Sequence, residues 1–181
     1  SCVTLAEVVK AAGYQTYMVG KWHMELPGPI ARGFDEFYGF VRGYEQDQWQ
    51  PKRYQRLPKG RPTREYPEGA FYATDVFHDY ALDFLAQARA KNKDAAKPVP
   101  WFLYVAESAP HFPVQAPAKS VDRFVETYKK GWDVLRAARF DRMTKSGLAT
   151  DSWKLSGREI VPVDRDDIAN GFPGQIGRAH G

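Results

Sequence analysis

Three side chains able to bind an anion or move a proton follow directly on two short apolar runs. "YMVGKWHMELP" (Tyr17–Pro27) places Lys21 and His23 just past a glycine, and "WFLYVAESAPHFPVQAP" (Trp101–Pro117) places His111 among prolines. A lysine is a permanent cation, and about 4 Å from an anion it contributes roughly 4 kcal/mol at an effective dielectric near 20. A histidine can accept a proton near neutral pH or deliver one to a leaving oxygen. Taken singly, a lysine at a strand end reads as a solvated charge and a histidine in a loop as a surface residue. Their shared placement favours a site, and Trp22 between Lys21 and His23 adds a bulky wall.

Other titratable residues show less. His23 and His111 form no H-x-x-x-H pair and no acid cluster adjoins them, so no metal site is predicted within this chain. His78, flanked by Phe77 and Asp79, reads as a packing or surface residue in the first turn of a predicted helix, and His180 is assigned no role. Asp35, Glu36, Asp75 and Asp79 show no pairing of the glycosidase type. Cys2 is the single cysteine, which excludes an internal disulfide and a cysteine-rich zinc site.

The elements that must position these residues follow from pattern. Thr4 and Glu7 have the form of a capping box, with Leu5, Val8, Val9 and Ala12 on one helical stripe and Gly13 as a stop. A helix is therefore predicted from Thr4 to about Ala12. "YQTYMV", rich in aromatic and β-branched residues, predicts a strand ending at Gly20. "RGFDEFYGF" (Arg32–Phe40) reads as a packed turn beside the first loop. Phe77, Tyr80, Ala81, Phe84, Leu85 and Ala88 define one face of a second helix, which Thr74 or Asp75 can cap. "WFLYVA" is a continuous apolar run of strand length and predicts a buried strand, ended by the prolines of "ESAPHFPVQAP". Two helix-then-strand units imply an α/β fold, a mostly parallel sheet flanked by helices. Ligands of such sheets bind beyond the carboxyl ends of the strands. Lys21, His23 and His111 are thus predicted on one rim.

Between the two units, Val41–Ala70 has no apolar period and is rich in Arg, Tyr, Gln and Pro. A loop of about 30 residues is unusual in a compact domain and commonly functional. It reads as a substrate-bordering loop or an irregular surface segment; its aromatic and basic residues also resemble single-strand nucleic-acid contacts, the less favoured option. "GWDVLRAARFDRMTKSG" predicts a further helix, and the sequence from Asp151 onward shows neither helical nor strand period.

Composition sets the outer bounds. The chain has 181 residues, 43% hydrophobic and 27% charged, typical of globular proteins and enough for one domain with a core. No apolar run reaches the ~20 residues of a membrane helix. The formal charge of +4 is spread among acids rather than gathered, so no nucleic-acid partner is predicted. "SCVTLAEVV" lacks the basic flank and cleavage site of a signal peptide.

Five segments, in order from about Thr4 to Met143, resemble the sulfatase family in its arylsulfatase branch. They are "TLAEVVKAAGYQTYMVGKWHM", "RGFDEFYGF", "FYATDVFHDYALDFL", "WFLYVAESAPHFPVQAP" and "YKKGWDVLRAARFDRM". "GKWH" together with the histidine–proline motif of "APHFPVQAP" carries most of the specificity. The resemblance implies an α/β fold related to alkaline phosphatase and hydrolysis of sulfate esters. It also implies a formylglycine nucleophile made from a Cys-x-Pro-x-Arg motif and a calcium ion on the sulfate oxygens. By position, Lys21 resembles the family's sulfate-binding lysine, His23 its histidine that helps regenerate the aldehyde, and His111 its histidine that contacts sulfate and assists the departing alcohol. Cys2, however, is followed by Val3, Thr4, Leu5 and Ala6, and Met24 and Glu25 stand where the family usually has Leu-Gly. The expectation is an internal piece of a longer sulfatase. Residues 1–175 would form part of the catalytic domain, 176–181 an unassigned tail, and the nucleophile and calcium ligands would lie elsewhere in the parent. A sulfated small molecule or glycan is the expected substrate, and a periplasmic, secreted or lysosomal site follows family habit. Hydrolysis of phosphate or phosphonate monoesters and noncatalytic binding of sulfated glycans are the alternatives.

Overall fold

The computed structural model describes residues 2–24, 26–42, 47–111 and 114–156. They fall in two compact units, Ser1–Gln115 and Ala116–Gly181. The boundary expected at 175/176 lies outside the described residues.

In the first unit, Thr4 starts helix α1 (Leu5–Ala11) through the predicted capping box: its Oγ1 accepts from Glu7 N at 3.1 Å while Glu7 Oε2 accepts from Thr4 N at 2.6 Å. Each bond satisfies an amide that the first helical turn leaves without a partner. Strand β1 (Gln15–Lys21) follows, and all of it but Lys21 is buried. The segment "RGFDEFYGF" is not the expected packed turn. A 3-10 turn (Ile30–Arg32) and Gly33 lead into a strand, β2 (Glu36–Phe40), pairing in parallel with β1 from Tyr17↔Glu36 to Lys21↔Phe40. All five β2 residues are buried, so the alternation that would have marked them as a strand is missing. Gly33 has φ 100°, and a Cβ there would strike the backbone of Ala6 and Glu7, so only glycine lets α1 lie this close.

Within the predicted 41–70 loop, a 3-10 turn (Pro51–Arg53) precedes a short strand, β3 (Gln55–Leu57), antiparallel to β2. Its centre, Arg56, is buried and pairs with Glu36 at 2.5 Å, with Arg61 on the other carboxylate oxygen at 3.0 Å. Helix α2 (Ala73–Asn92) then lies on the sheet with Val76, Phe77, Tyr80, Ala81, Phe84 and Ala88 buried, close to the predicted face. Neither Thr74 nor Asp75 caps it; the N-cap residue is Tyr72, and Asp75 lies in the first turn. Strand β4 (Trp101–Ala106) pairs in parallel with β1 from Gln15↔Trp101 to Gly20↔Ala106. The strand order is β3-β2-β1-β4.

This is the expected α/β architecture with a mostly parallel sheet. One side of it packs Tyr17, Val19, Tyr38 and Phe40 against α2. The other packs Met18, Phe37, Trp22 and Phe34 with Ala6 of α1. A further expectation, a buried last strand, is overturned. Among the described residues β4 is an edge strand with a single neighbour, and Trp101, Tyr104 and Val105 are 50%, 49% and 41% exposed. An apolar run signals burial only where both faces and both edges are covered.

The second unit contains α3 (Ala118–Tyr128), which the sequence did not announce, and α4 (Trp132–Lys145), which it did. Among the described residues no helix is long and apolar enough to cross a membrane.

Candidate anion-binding rim

β1 and β4 run in the same direction and end level, at Gly20↔Ala106. Adjacent strands lie about 4.8 Å apart, so the loops carrying Lys21–His23 and Glu107–His111 leave the sheet side by side at its carboxyl edge. That is the rim the sequence pattern predicted. Gly20 makes the close pairing possible: its φ is 100°, and a Cβ there would collide with the Ala106 carbonyl.

The structure divides the three candidates between the two faces. Lys21 continues the side of β1 that carries Tyr17 and Val19, and its Nζ lies 6.0 Å from the centre of the Phe40 ring, in the cluster covered by α2. The aromatic face holds the ammonium through its quadrupole and leaves it at the strand end. His23 lies toward the α1 side, where it is exposed. With Trp22, Met24, Phe34, Phe102 and Tyr104 it lines an apolar cavity of about 330 Å³. The backbone forces this turn: His23 has φ 66°, alone among the described non-glycine residues in being positive, and Met24 N donates to Trp22 O at 2.9 Å. An i to i+2 bond around a positive φ is a γ-turn of the strained kind. Such strain concentrates where a side chain must be aimed. Trp22, meanwhile, is buried edge-on against Phe34 at 6.1 Å and anchors the loop.

His111 ends a four-residue turn in which Ser108 O accepts from His111 N at 2.9 Å. The turn hangs from Glu107, the first residue past β4. Glu107 is half-buried, and its Oε1 lies 2.8 Å from His78 Nε2 on α2. Burial pushes the Glu107 carboxyl above the usual carboxylate range; His78 opposes this and Asp75 adds to it. The sequence marks Glu107 for no role and His78 only as a packing or surface residue. The one available signal was an acid directly after an apolar strand, and such acids mostly face water.

Among the described residues no three of His, Cys, Asp and Glu come together as a metal-binding set. Cys2 is exposed and lies outside any Cys-x-Pro-x-Arg motif. The described residues therefore do not fit the formylglycine and calcium that the family resemblance implies, and no chemical step is assigned to either group.

A mostly parallel α/β sheet with cationic and imidazole groups at its carboxyl edge belongs to the class of α/β proteins that hold ligands at that edge. The comparisons narrow it. Residues 1–165 match the Sulfatase family profile, and the chain belongs to the sulfatase family. It is 30% identical to an uncharacterized sulfatase of Schizosaccharomyces pombe, over 91% of this chain and 30% of that protein. It is likewise 30% identical to an arylsulfatase of Klebsiella aerogenes, over 87% of this chain and 34% of that protein. Among solved structures, the crystal structure of Ps i-CgsB in complex with k-i-k-neocarrahexaose matches with a TM-score of 0.51 and 29% identity, over 67% of this chain and 29% of that one. The chain thus spans about a third of the length of these relatives.

Proposed function

We propose that the protein containing this chain hydrolyses sulfuric esters, and that Lys21, His23 and His111 form part of the wall around the sulfate. The observation that carries this reading is the placement of two loops, "GKWH" and "APH", on neighbouring parallel strands at one carboxyl edge, inside the matched family region. The chemistry suits the residues. Sulfate offers oxygens that a lysine ammonium can neutralise, and that attraction is strongest where charge builds up during reaction. When the bond from sulfur to the alcohol oxygen breaks, the departing oxygen needs a proton, which a protonated His111 imidazole can deliver. His23, across the edge, is a second group able to accept and return a proton. The nucleophile and the calcium ion belong, in this reading, to segments outside these 181 residues.

A sulfated glycan is the substrate class we favour. The match to a structure holding a bound oligosaccharide supports a sugar, and the open, aromatic-lined cavity beside His23 offers flat surfaces on which sugar rings stack.

The test uses the longer protein with an aryl sulfate and an aryl phosphate side by side. Turnover of the sulfate is expected, with Lys21→Ala and His111→Ala each lowering kcat by about 10²–10³-fold, the loss typical for removing one group that stabilises developing charge. Faster turnover of the phosphate would move the reading to phosphate esters. Unchanged rates in both variants would remove these residues from the mechanism. The 181-residue chain alone is expected to turn over neither compound.

A further inference from the structure

We propose that His78 and Tyr72, on and just before the first turns of α2, are positioning residues for His111: they grip the two ends of the loop that carries it. This inference rests on the reading that His111 acts at the sulfate.

Among its described residues, the loop from Glu107 to Gln115 belongs to no helix or strand. It follows an edge strand, contains Pro110, Pro113 and a further proline just beyond it, and has no sheet partner among its described residues. Both of its ends are instead tied to one rigid element. At the first, Glu107 Oε1 lies 2.8 Å from His78 Nε2. At the second, Tyr72 Oη donates to Gln115 O at 3.0 Å. A third tie braces the second end: Gln48 N donates to Gln115 Oε1 at 2.7 Å, while Gln48 O accepts from Ala73 N at 2.8 Å. Gln48 and Tyr72 are buried, and Trp49 packs on the Tyr72 ring at 4.8 Å.

The anchor is firm where it needs to be. Val76, Phe77 and Tyr80, on the turns between and after Tyr72 and His78, are among the most buried residues of the molecule. A helix fixed in the core therefore sets the separation of the loop ends, and the short turn Ser108–His111 transmits that setting to the imidazole. His78 itself is more than half exposed, so its contact with Glu107 adds little to stability. Glu107 is held partly out of water in a place where burial disfavours its charge, alongside His78 and Asp75 of α2. A contact that gains so little for the fold is better explained by the orientation it imposes on the turn leading to His111.

The experiment is a mutant cycle in the longer protein with an aryl sulfate. His78→Ala and Tyr72→Phe remove one tie each and leave the core intact. Each is expected to lower kcat about tenfold with KM nearly unchanged, since small misplacements of a reacting group cost up to about 10²-fold. His78→Lys, which keeps a cation within reach of Glu107, should recover most of the rate. In a His111→Ala background the same changes should have no further effect on kcat. If instead the losses multiply with that of His111→Ala, the two residues act independently of His111 and the proposal is wrong. A second readout separates this proposal from the functional reading. Hydrogen exchange at the His111 amide should speed up in Tyr72→Phe and His78→Ala whether or not the protein proves to be a sulfatase. Unchanged exchange overturns the clamp; absent sulfatase turnover with faster exchange overturns the functional reading alone.

Discussion

His23 sits where an ordinary side chain pays for its backbone. At φ 66° an L-residue crowds its own carbonyl, at a cost of roughly 1–2 kcal/mol that glycine does not carry. Here the γ-turn between Trp22 and Met24 swings the imidazole off the line of β1 toward the α1 side. His23→Gly and His23→Ala should therefore differ in the direction opposite to the usual helix or strand result. The glycine variant is expected to be about 1 kcal/mol more stable than the alanine variant, by urea denaturation, because it alone relaxes the turn. Equal stabilities, or a more stable alanine variant, would show that the turn is unstrained. At this scale the sequence was informative about which residues reach the strand ends and silent about where they point. "GKWH" after an apolar run marks Lys21 and His23 for the rim. Nothing in the letters says that a positive φ will part them, because tertiary packing, here with Trp22 edge-on to Phe34 next to His23, has no local sequence signature.

At the scale of elements, α1 is fastened to the sheet by charges that the sequence displayed without connecting. Thr4 and Glu7 were legible as a cap. Not legible was Asp35, which takes the Thr16 amide at 2.8 Å, the Thr16 hydroxyl at 3.1 Å and the Lys10 ammonium at 2.8 Å, so joining α1, β1 and the start of β2. These partners are 19 and 25 residues away, beyond any local pattern, and β2 itself was hidden by its uniform burial. Burial alone would raise the Asp35 carboxyl, but Lys10 and the Thr16 amide and hydroxyl together bring it below the usual carboxylate range. Its contribution to stability is thus complete above the unfolded value near 3.9 and disappears as the pH falls through the lower folded value. Asp35→Asn should cost about 1–2 kcal/mol at pH 7, the lower part of the range for hydrogen bonds to a charged group because both partners are partly exposed. The gap between wild type and variant should narrow as urea unfolding is repeated from pH 5 down to pH 2. A gap that stays constant through that interval would show that Asp35 holds α1 by shape rather than by charge. Thr4→Ala should cost about 1 kcal/mol at pH 7, as the loss of a helix cap typically does.

Over the whole molecule, the sheet is asymmetric. On one flank β3 closes β2 with a buried Arg56–Glu36 pair, and Arg56 also lies over the Phe84 ring at 4.7 Å. On the other flank β4 leaves its outer hydrogen-bonding edge without a strand partner among the described residues. The strand is the most apolar run in the chain, which is why its sequence reads as an interior strand, and yet Trp101, Tyr104 and Val105 meet water. Natural edge strands are usually short, charged or interrupted by proline, because a bare apolar edge pairs with whatever strand it meets. β4 has none of these safeguards between Trp101 and Ala106. In water the 181-residue chain should therefore associate as its concentration rises, with the mass in sedimentation or light scattering growing beyond the monomer value. Val105→Lys places a charge on the exposed strand and should suppress that growth. The far-UV spectrum should stay unchanged, since the residue is already 41% exposed and its loss leaves no cavity. Val121→Lys, at a residue equally apolar and more exposed but on helix α3, supplies the same charge away from the strand and should leave the association as it was. If both variants reduce association alike, net charge governs solubility and the edge plays no special part. If the wild-type chain stays monomeric at millimolar concentration, β4 is less available than its exposure implies.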